Sequence, residues 1–130
     1  MVKMYVINKE IETKFFKDIF NEVLKEINKS FNLKSEGKEE LKKIKLVGSP
    51  KEIIKGFFDI INSYLKEGKI IKNAKVIKVK KLWQDEIKGE NDYSVSFELI
   101  IANSNEKINK EIKFIDSEKN RKYKVYFTIK

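Results

Sequence analysis

Six lysines lie within residues 69 to 81, which read KIIKNAKVIKVKK, and no acid occurs between Glu67 and Asp85. A lysine ammonium group binds phosphate and other anions as a point charge, so this segment is a candidate for holding a polyanion. The same spacing fits the solvated face of an ordinary strand, and both interpretations stay open. The candidate residues for nucleic-acid binding are Lys72, Lys75, Lys78, Lys80 and Lys81.

The chain has a formal charge of +9, and Arg121 is the only arginine among its 29 basic residues. Arginine dominates bidentate recognition of phosphate and guanine, so a basic surface of lysine alone is a weaker sign of nucleic-acid binding. Codon usage in an A/T-rich genome would also favour lysine. The basic charge is therefore either functional or compositional.

The composition excludes several kinds of catalysis. With no histidine and no cysteine, the chain cannot form a Ser-His-Asp centre, a thiolate nucleophile, a disulfide or a usual zinc site. The five glycines are scattered, so neither a phosphate-binding loop nor a dinucleotide fingerprint is present. Asp116, Glu118 and Asn120 resemble the start of a calcium loop, but Arg121 stands where that loop needs glycine. We expect no cofactor and no metal.

Two amphipathic helices are predicted, at about residues 9–29 and 50–67. Asn8 is the expected cap of the first. Ser49 and Glu52 form a capping box at the start of the second, and Gly68 ends it. Gly56 inside this helix is either tolerated or allows another element to approach closely.

Between the helices, residues 31–48 are rich in charge and weakly periodic. Leu41, Ile44 and Leu46 fit a short helix, and Lys45 to Val47 fit a brief strand. We expect a connector with one short helical turn. The first eight residues include KMYVI, a possible extra edge strand.

From residue 70 the apolar period changes to two, which predicts four strands, at about 70–84, 92–102, 106–116 and 121–130. Short turns between them favour a curved antiparallel meander, and the fold class is α+β. The apolar phase slips at Val76 and Ile77, which predicts a bulge. Lys78 and Lys80 then share one face, while Lys75 belongs to the earlier phase.

One acid, Glu98, lies in the middle of a strand together with Ser96 on its presumed open face. If the later strands are in register, Tyr126 and Thr128 share that face. These four residues are the candidate binding face, as a shallow polar site or a partner's interface. A solvated sheet surface is the alternative.

Helices followed by an antiparallel meander, over roughly residues 9–130, resemble the cystatin-like and nuclear transport factor two-like folds. This resemblance implies a curved sheet that wraps a helix. The order is also similar to extracytoplasmic domains of conjugation and type IV secretion components, which follow a membrane helix. Members of these folds include enzymes, ligand carriers and assembly modules. The histidine and aspartate constellation of the enzymatic members has no counterpart here, which argues against catalysis.

The leading hypothesis is a non-catalytic binding or assembly module that uses its open sheet face to contact a protein partner or to form a homo-oligomer. The alternatives are sequence-nonspecific nucleic-acid binding through lysine, and a small-ligand pocket protein or carboxylate-based enzyme. Residues 1–130 are expected to form one domain. No apolar run is long enough to cross a bilayer, and MVKMYVIN lacks a secretory signal. A complete chain would thus be cytoplasmic, while an excised extracytoplasmic domain would look the same.

Overall fold

The computed structural model describes residues 2–8, 12–85, 90–105, 112–119 and 122–129. Two helices and antiparallel strands confirm the α+β class. In chain order the elements are β1 (Val2–Asn8), α1 (Glu12–Ser30), β2 (Ser35–Gly48), α2 (Pro50–Lys66), β3 (Lys69–Asp85), β4 (Glu90–Ser104), β5 (Ile112–Lys119) and β6 (Lys122–Ile129).

Helix α1 forms where the sequence predicts it, because its apolar residues recur on one face and are buried there. Its predicted start, at residues 9–11, lies outside the described part of the chain. The helix is terminated by Asn32, whose φ of 52° is in the left-handed region. The Leu33 N–H then donates to the Asn28 carbonyl at 2.9 Å, which satisfies one of the last helical acceptors.

Helix α2 has the predicted capping box. The Glu52 N–H donates to Ser49 Oγ at 3.3 Å, and Pro50 takes the first turn, where no N–H is needed. Gly48 precedes the cap and has a φ of +145°, a backbone conformation that residues other than glycine rarely adopt. Gly68, at φ 74°, follows the last turn. The boundaries of α2 are thus fixed by local chemistry.

The strands form two antiparallel sheets, with the orders β2–β4–β3 and β1–β6–β5. The predicted pairings of β3 with β4 and of β5 with β6 are confirmed. A single four-stranded meander is wrong, because the second side of β4 is occupied by β2 and the second side of β6 by β1. Of the predicted strand at 106–116, residues 106–111 lie outside the described residues.

The segment expected to be a connector is instead the edge strand β2. From Leu41 to Val47 its side chains alternate between exposed and half-buried, as on a sheet with one wet face. Lysines and glutamates occupy many of these positions, so hydropathy concealed the period of two. The first eight residues, left open by the sequence, contain β1.

The helices pack between the two sheets. Phe20 of α1 stacks on Phe57 of α2, with ring centroids 4.0 Å apart, and both contact Phe97 of β4. Phe58 of α2 contacts Phe127 of β6, with centroids 5.5 Å apart. Since the helices cover one face of the β2–β4–β3 sheet, its opposite face is left for solvent or a ligand.

Gly56 is explained by the contact between α2 and β2. A Cβ atom at this position would lie 3.1 Å from Leu46 Cδ2, so the glycine lets β2 approach the helix closely. Within the described residues, neither helix is both long and apolar enough to cross a membrane.

Candidate binding face

The central strand β4 divides its side chains between two environments. Val95, Phe97 and Leu99 are buried against the helices, while Ser96 and Glu98 point to the other side and are half-buried. We call this second side the outer face. Its residues include Leu41, Lys43, Lys45 and Val47 on β2, Asp92, Ser94, Ser96, Glu98 and Ile100 on β4, and Asn73, Lys75, Ile77, Lys78 and Lys80 on β3.

The register aligns the charged residues of the outer face in rows across the sheet. Glu98 pairs with Lys43 on one side and with Lys75 on the other. Ser96 pairs with Lys45 and with Lys78 in the next row. Directly paired residues project to the same side of a sheet, so these lysines surround Ser96 and Glu98.

The predicted bulge in β3 is confirmed, since the register shifts between Val76 and Lys78. The separation of Lys75 from the other lysines is wrong. The extra residue, Ile77, absorbs the slip in phase, so Lys75, Lys78 and Lys80 all pair with outer-face residues of β4. The bulge thus gathers the lysines that the sequence pattern divided.

Two of the nucleic-acid candidates are not part of this group. Lys72 lies at an earlier register shift, and its Nζ is 2.6 Å from Glu39 Oε1. Lys81 is exposed, but it pairs with the buried Tyr93. It therefore lies on the side of the sheet that faces the helices, not on the outer face.

Sequence reasoning missed Lys43 and Lys45. Both are exposed and alternate with the half-buried Ile44 and Leu46, which is the signal that could have identified them. Their place beside β4 depends on the pairing of β2, which no local pattern indicates.

The four residues of the predicted binding face do not come together. Ser96 and Glu98 lie on β4, whereas Tyr126 and Thr128 lie on β6 in the other sheet. Thr128 Oγ1 is buried and, among the described residues, has no hydrogen-bond partner. The side chain of Tyr126 lies outside what the structure describes. A role for any of the four in binding stays a prediction.

A shallow groove of about 340 Å³ crosses the outer face, and its lining includes Lys45, Ile77, Ser96 and Glu98. Ile77 is 52% exposed, and Leu41 and Val47, at 53% and 56%, lie on the same face. The groove therefore offers methyl groups, one serine hydroxyl, one carboxylate and several ammonium groups. In the described part of the chain no three histidine, cysteine, aspartate or glutamate residues are grouped to hold a metal ion.

At the margin of the sheet, Lys42 Nζ lies 2.7 Å from Glu40 Oε1. The hydrogen bond and the positive charge of Lys42 lower the pKa of the Glu40 carboxyl, and the pKa of Lys42 is raised by the same partner. Glu39 and Glu40 both have lysine partners, so these two acids of β2 add little free negative charge beside the outer face.

Asparagine side chains attach β3 to helix α1. Asn21 Nδ2 donates to the Ala74 carbonyl at 3.0 Å, and the Ala74 N–H donates to Asn21 Oδ1 at 3.1 Å. Asn28 Nδ2, two turns later, donates to the Ile71 carbonyl at 3.1 Å. The amides take the place of a neighbouring strand and attach the lysine-rich strand to the helix.

No family model matches the chain, and no curated protein matches it. Among solved structures, the chain is similar to the crystal structure of an archease, a possible chaperone, from Thermotoga maritima. The sequences are 14% identical, the likeness covers 99% of this chain and 88% of that chain, and the TM-score is 0.42. A likeness of this degree establishes neither a shared fold nor a shared function. The resemblance to the cystatin-like and nuclear transport factor two-like folds stays a prediction.

Proposed function

We propose that this protein is a non-catalytic binding module whose ligand surface is the outer face of the β2–β4–β3 sheet, and that this surface holds polyanions. The observation that carries the proposal is the convergence of five lysines, from β2 and β3, beside the Ser96 and Glu98 positions of β4. The opposite face of the same sheet packs on both helices through Phe97, so the lysines project from a sheet that is supported from behind.

The grouping of charge supports this function more than the total charge does. A net charge of +9 spread evenly would give weak attraction to any anion. Here five lysines project from one face, and Glu98 is the only acid paired with them in the register of the strands. The five are Lys43, Lys45, Lys75, Lys78 and Lys80. The absence of histidine and cysteine supports a role in binding rather than in catalysis.

Exposed apolar residues on the same face, Leu41, Val47 and Ile77, favour a second candidate function. Methyl groups next to lysines suit a protein partner with an acidic rim and an apolar centre. Both candidates use one surface, and they differ in whether binding depends on charge or on contact area.

The test is retention on immobilised heparin, a polyanion without bases or a protein fold. We expect the variant Lys75→Gln, Lys78→Gln, Lys80→Gln to elute at a clearly lower salt concentration than the parent protein, because three of the five clustered charges are removed.

The matched control removes the same number of charges elsewhere. Three lysines are exposed on helix α1, namely Lys14, Lys17 and Lys25. Changing all three to glutamine gives a variant with the same net charge as the variant of the outer face. This control should elute close to the parent. Equal losses of retention in both variants would mean that net charge alone governs binding, and the proposal would fail.

A further inference from the structure

We infer that the polyanion held on the outer face is double-stranded nucleic acid, bound through its phosphates and without recognition of base sequence. The inference rests on the proposed function and names its ligand. It is drawn from the arrangement of the five lysines and from the residue types around them.

The lysines form two columns. Lys43 and Lys45 lie on β2, and Lys75, Lys78 and Lys80 lie on β3. Because β4 separates these strands, the columns are about 10 Å apart, and neighbours within a column are about 7 Å apart. The positive charge therefore covers an area rather than a line.

A duplex matches such an area better than a single strand does. Both of its strands contribute phosphates, so it carries one negative charge per about 1.7 Å of axis, about twice the linear density of one strand. A duplex lying across the sheet presents phosphates to both columns together. A single strand follows one column and leaves the other without a partner.

The residue types favour contacts to phosphate over contacts to bases. All five cations are lysines, and the bidentate reading of guanine is mainly the work of arginine. Among the described side chains of residues 41–47, 73–80 and 94–100 that lie on the outer face none is aromatic, so no described platform for stacking unpaired bases lies beside the five lysines. Binding through charge alone does not distinguish sequences.

The charge of Glu98 provides a test of whether the phosphates of a duplex lie against this part of the face. It lies between Lys43 and Lys75, where a bound phosphate would meet a fixed negative charge. Replacing it with glutamine keeps its size and removes that repulsion. A duplex should then bind more tightly, by about threefold for one unit charge at about 7 Å in water.

The experiment is fluorescence anisotropy with a short labelled duplex of mixed sequence and with one of its strands alone, titrated with the full chain. We expect the duplex to bind more tightly than the single strand. Affinity should fall about tenfold for each doubling of salt if about four phosphates are neutralised. A second duplex of unrelated sequence should bind equally well.

The variants assign the binding to the face. Lys75→Gln, Lys78→Gln, Lys80→Gln should reduce the slope of log affinity against log salt by about 3. The α1 control, with Lys14, Lys17 and Lys25 changed to glutamine, should keep that slope within about 1. Far-ultraviolet circular dichroism establishes beforehand that each variant is folded.

Equal or tighter binding of the single strand, a clear preference between the duplexes, or weaker binding by Glu98→Gln would overturn the inference. If neither nucleic acid binds while heparin retention still depends on the face, the proposed function stands and the ligand is another polyanion, such as an acidic protein. If heparin retention is also independent of the face, both proposals fail.

Discussion

Asparagine side chains stand in for backbone at two places where a helix meets a sheet edge. Asn62 of α2 donates from Nδ2 to the Ile112 carbonyl at 2.7 Å and accepts at Oδ1 from the Ile112 N–H at 2.9 Å. Asn21 makes the same pair of bonds with Ala74. A side-chain amide has one donor and one acceptor in the geometry of a peptide group, so it can close an edge that lacks a neighbouring strand.

Replacing Asn62 with alanine should destabilise the protein. Two partly buried backbone groups of Ile112 would lose their partners, and the higher helix propensity of alanine returns only about 0.5 kcal/mol. We expect the free energy of unfolding to fall by about 2 kcal/mol, measured by urea denaturation. The neighbouring change Ser63→Ala, at an exposed position, should alter it by no more than about 0.5 kcal/mol. Equal effects of the two changes would show that the Asn62 bonds contribute no net stability.

At the scale of elements, the boundaries and faces that depend on local chemistry follow from the sequence. The capping box of α2, the apolar faces of both helices and the bulge at Ile77 were all predicted, because each is encoded within a few neighbouring residues. Of strand β2 the sequence indicated only a brief strand at residues 45–47, as an alternative to the expected connector, since lysines and glutamates occupy its alternating positions and its stability comes from pairing with β4.

The candidate site shows the same division. Lys75, Lys78 and Lys80 were identified as lysines of one strand, but their common face follows only from the register between β3 and β4. Lys43 and Lys45 join them only because β2 pairs with β4 across more than fifty residues of sequence, a contact that no window of the chain contains. The sequence therefore identified three of the lysines, but it did not show that five lysines share one face.

The contact between α2 and β2 can be measured by a double-mutant cycle. Gly56→Ala alone should leave stability within about 0.5 kcal/mol, because the gain in helix propensity is offset by a Cβ atom 3.1 Å from Leu46 Cδ2. In a Leu46→Ala background the new methyl group has room, and the same change should stabilise the protein by about 1 kcal/mol.

Leu41→Ala provides the control background, since Leu41 is on the outer face, away from α2. There Gly56→Ala should have the same effect as in the parent protein. Identical effects of Gly56→Ala in the Leu46→Ala and Leu41→Ala backgrounds would mean that Leu46 does not restrict the approach to the helix.

At the scale of the whole molecule, a formal charge of +9 opposes folding, because like charges are closer in the compact state than in the unfolded chain. The repulsion is uneven. On helix α1, Lys14 lies one turn from Asp18, whereas on the outer face Lys78 and Lys80 lie about 7 Å apart with no acid between them. Such a concentration of charge destabilises the free protein and is offset when an anion binds.

This reasoning predicts opposite orders of thermal stability with and without ligand. At low salt, Lys75→Gln, Lys78→Gln, Lys80→Gln should raise Tm by about 4 °C, since about 1 kcal/mol of repulsion is removed. The increase should disappear near 1 M salt, where the screening length is about 3 Å. The α1 control should show little change at either salt concentration.

A duplex at about 100 times its Kd should stabilise the parent by about 2.7 kcal/mol, so that the parent then has a higher Tm than the face variant. A lower Tm for the face variant at low salt would mean instead that the lysine stems stabilise the sheet by packing.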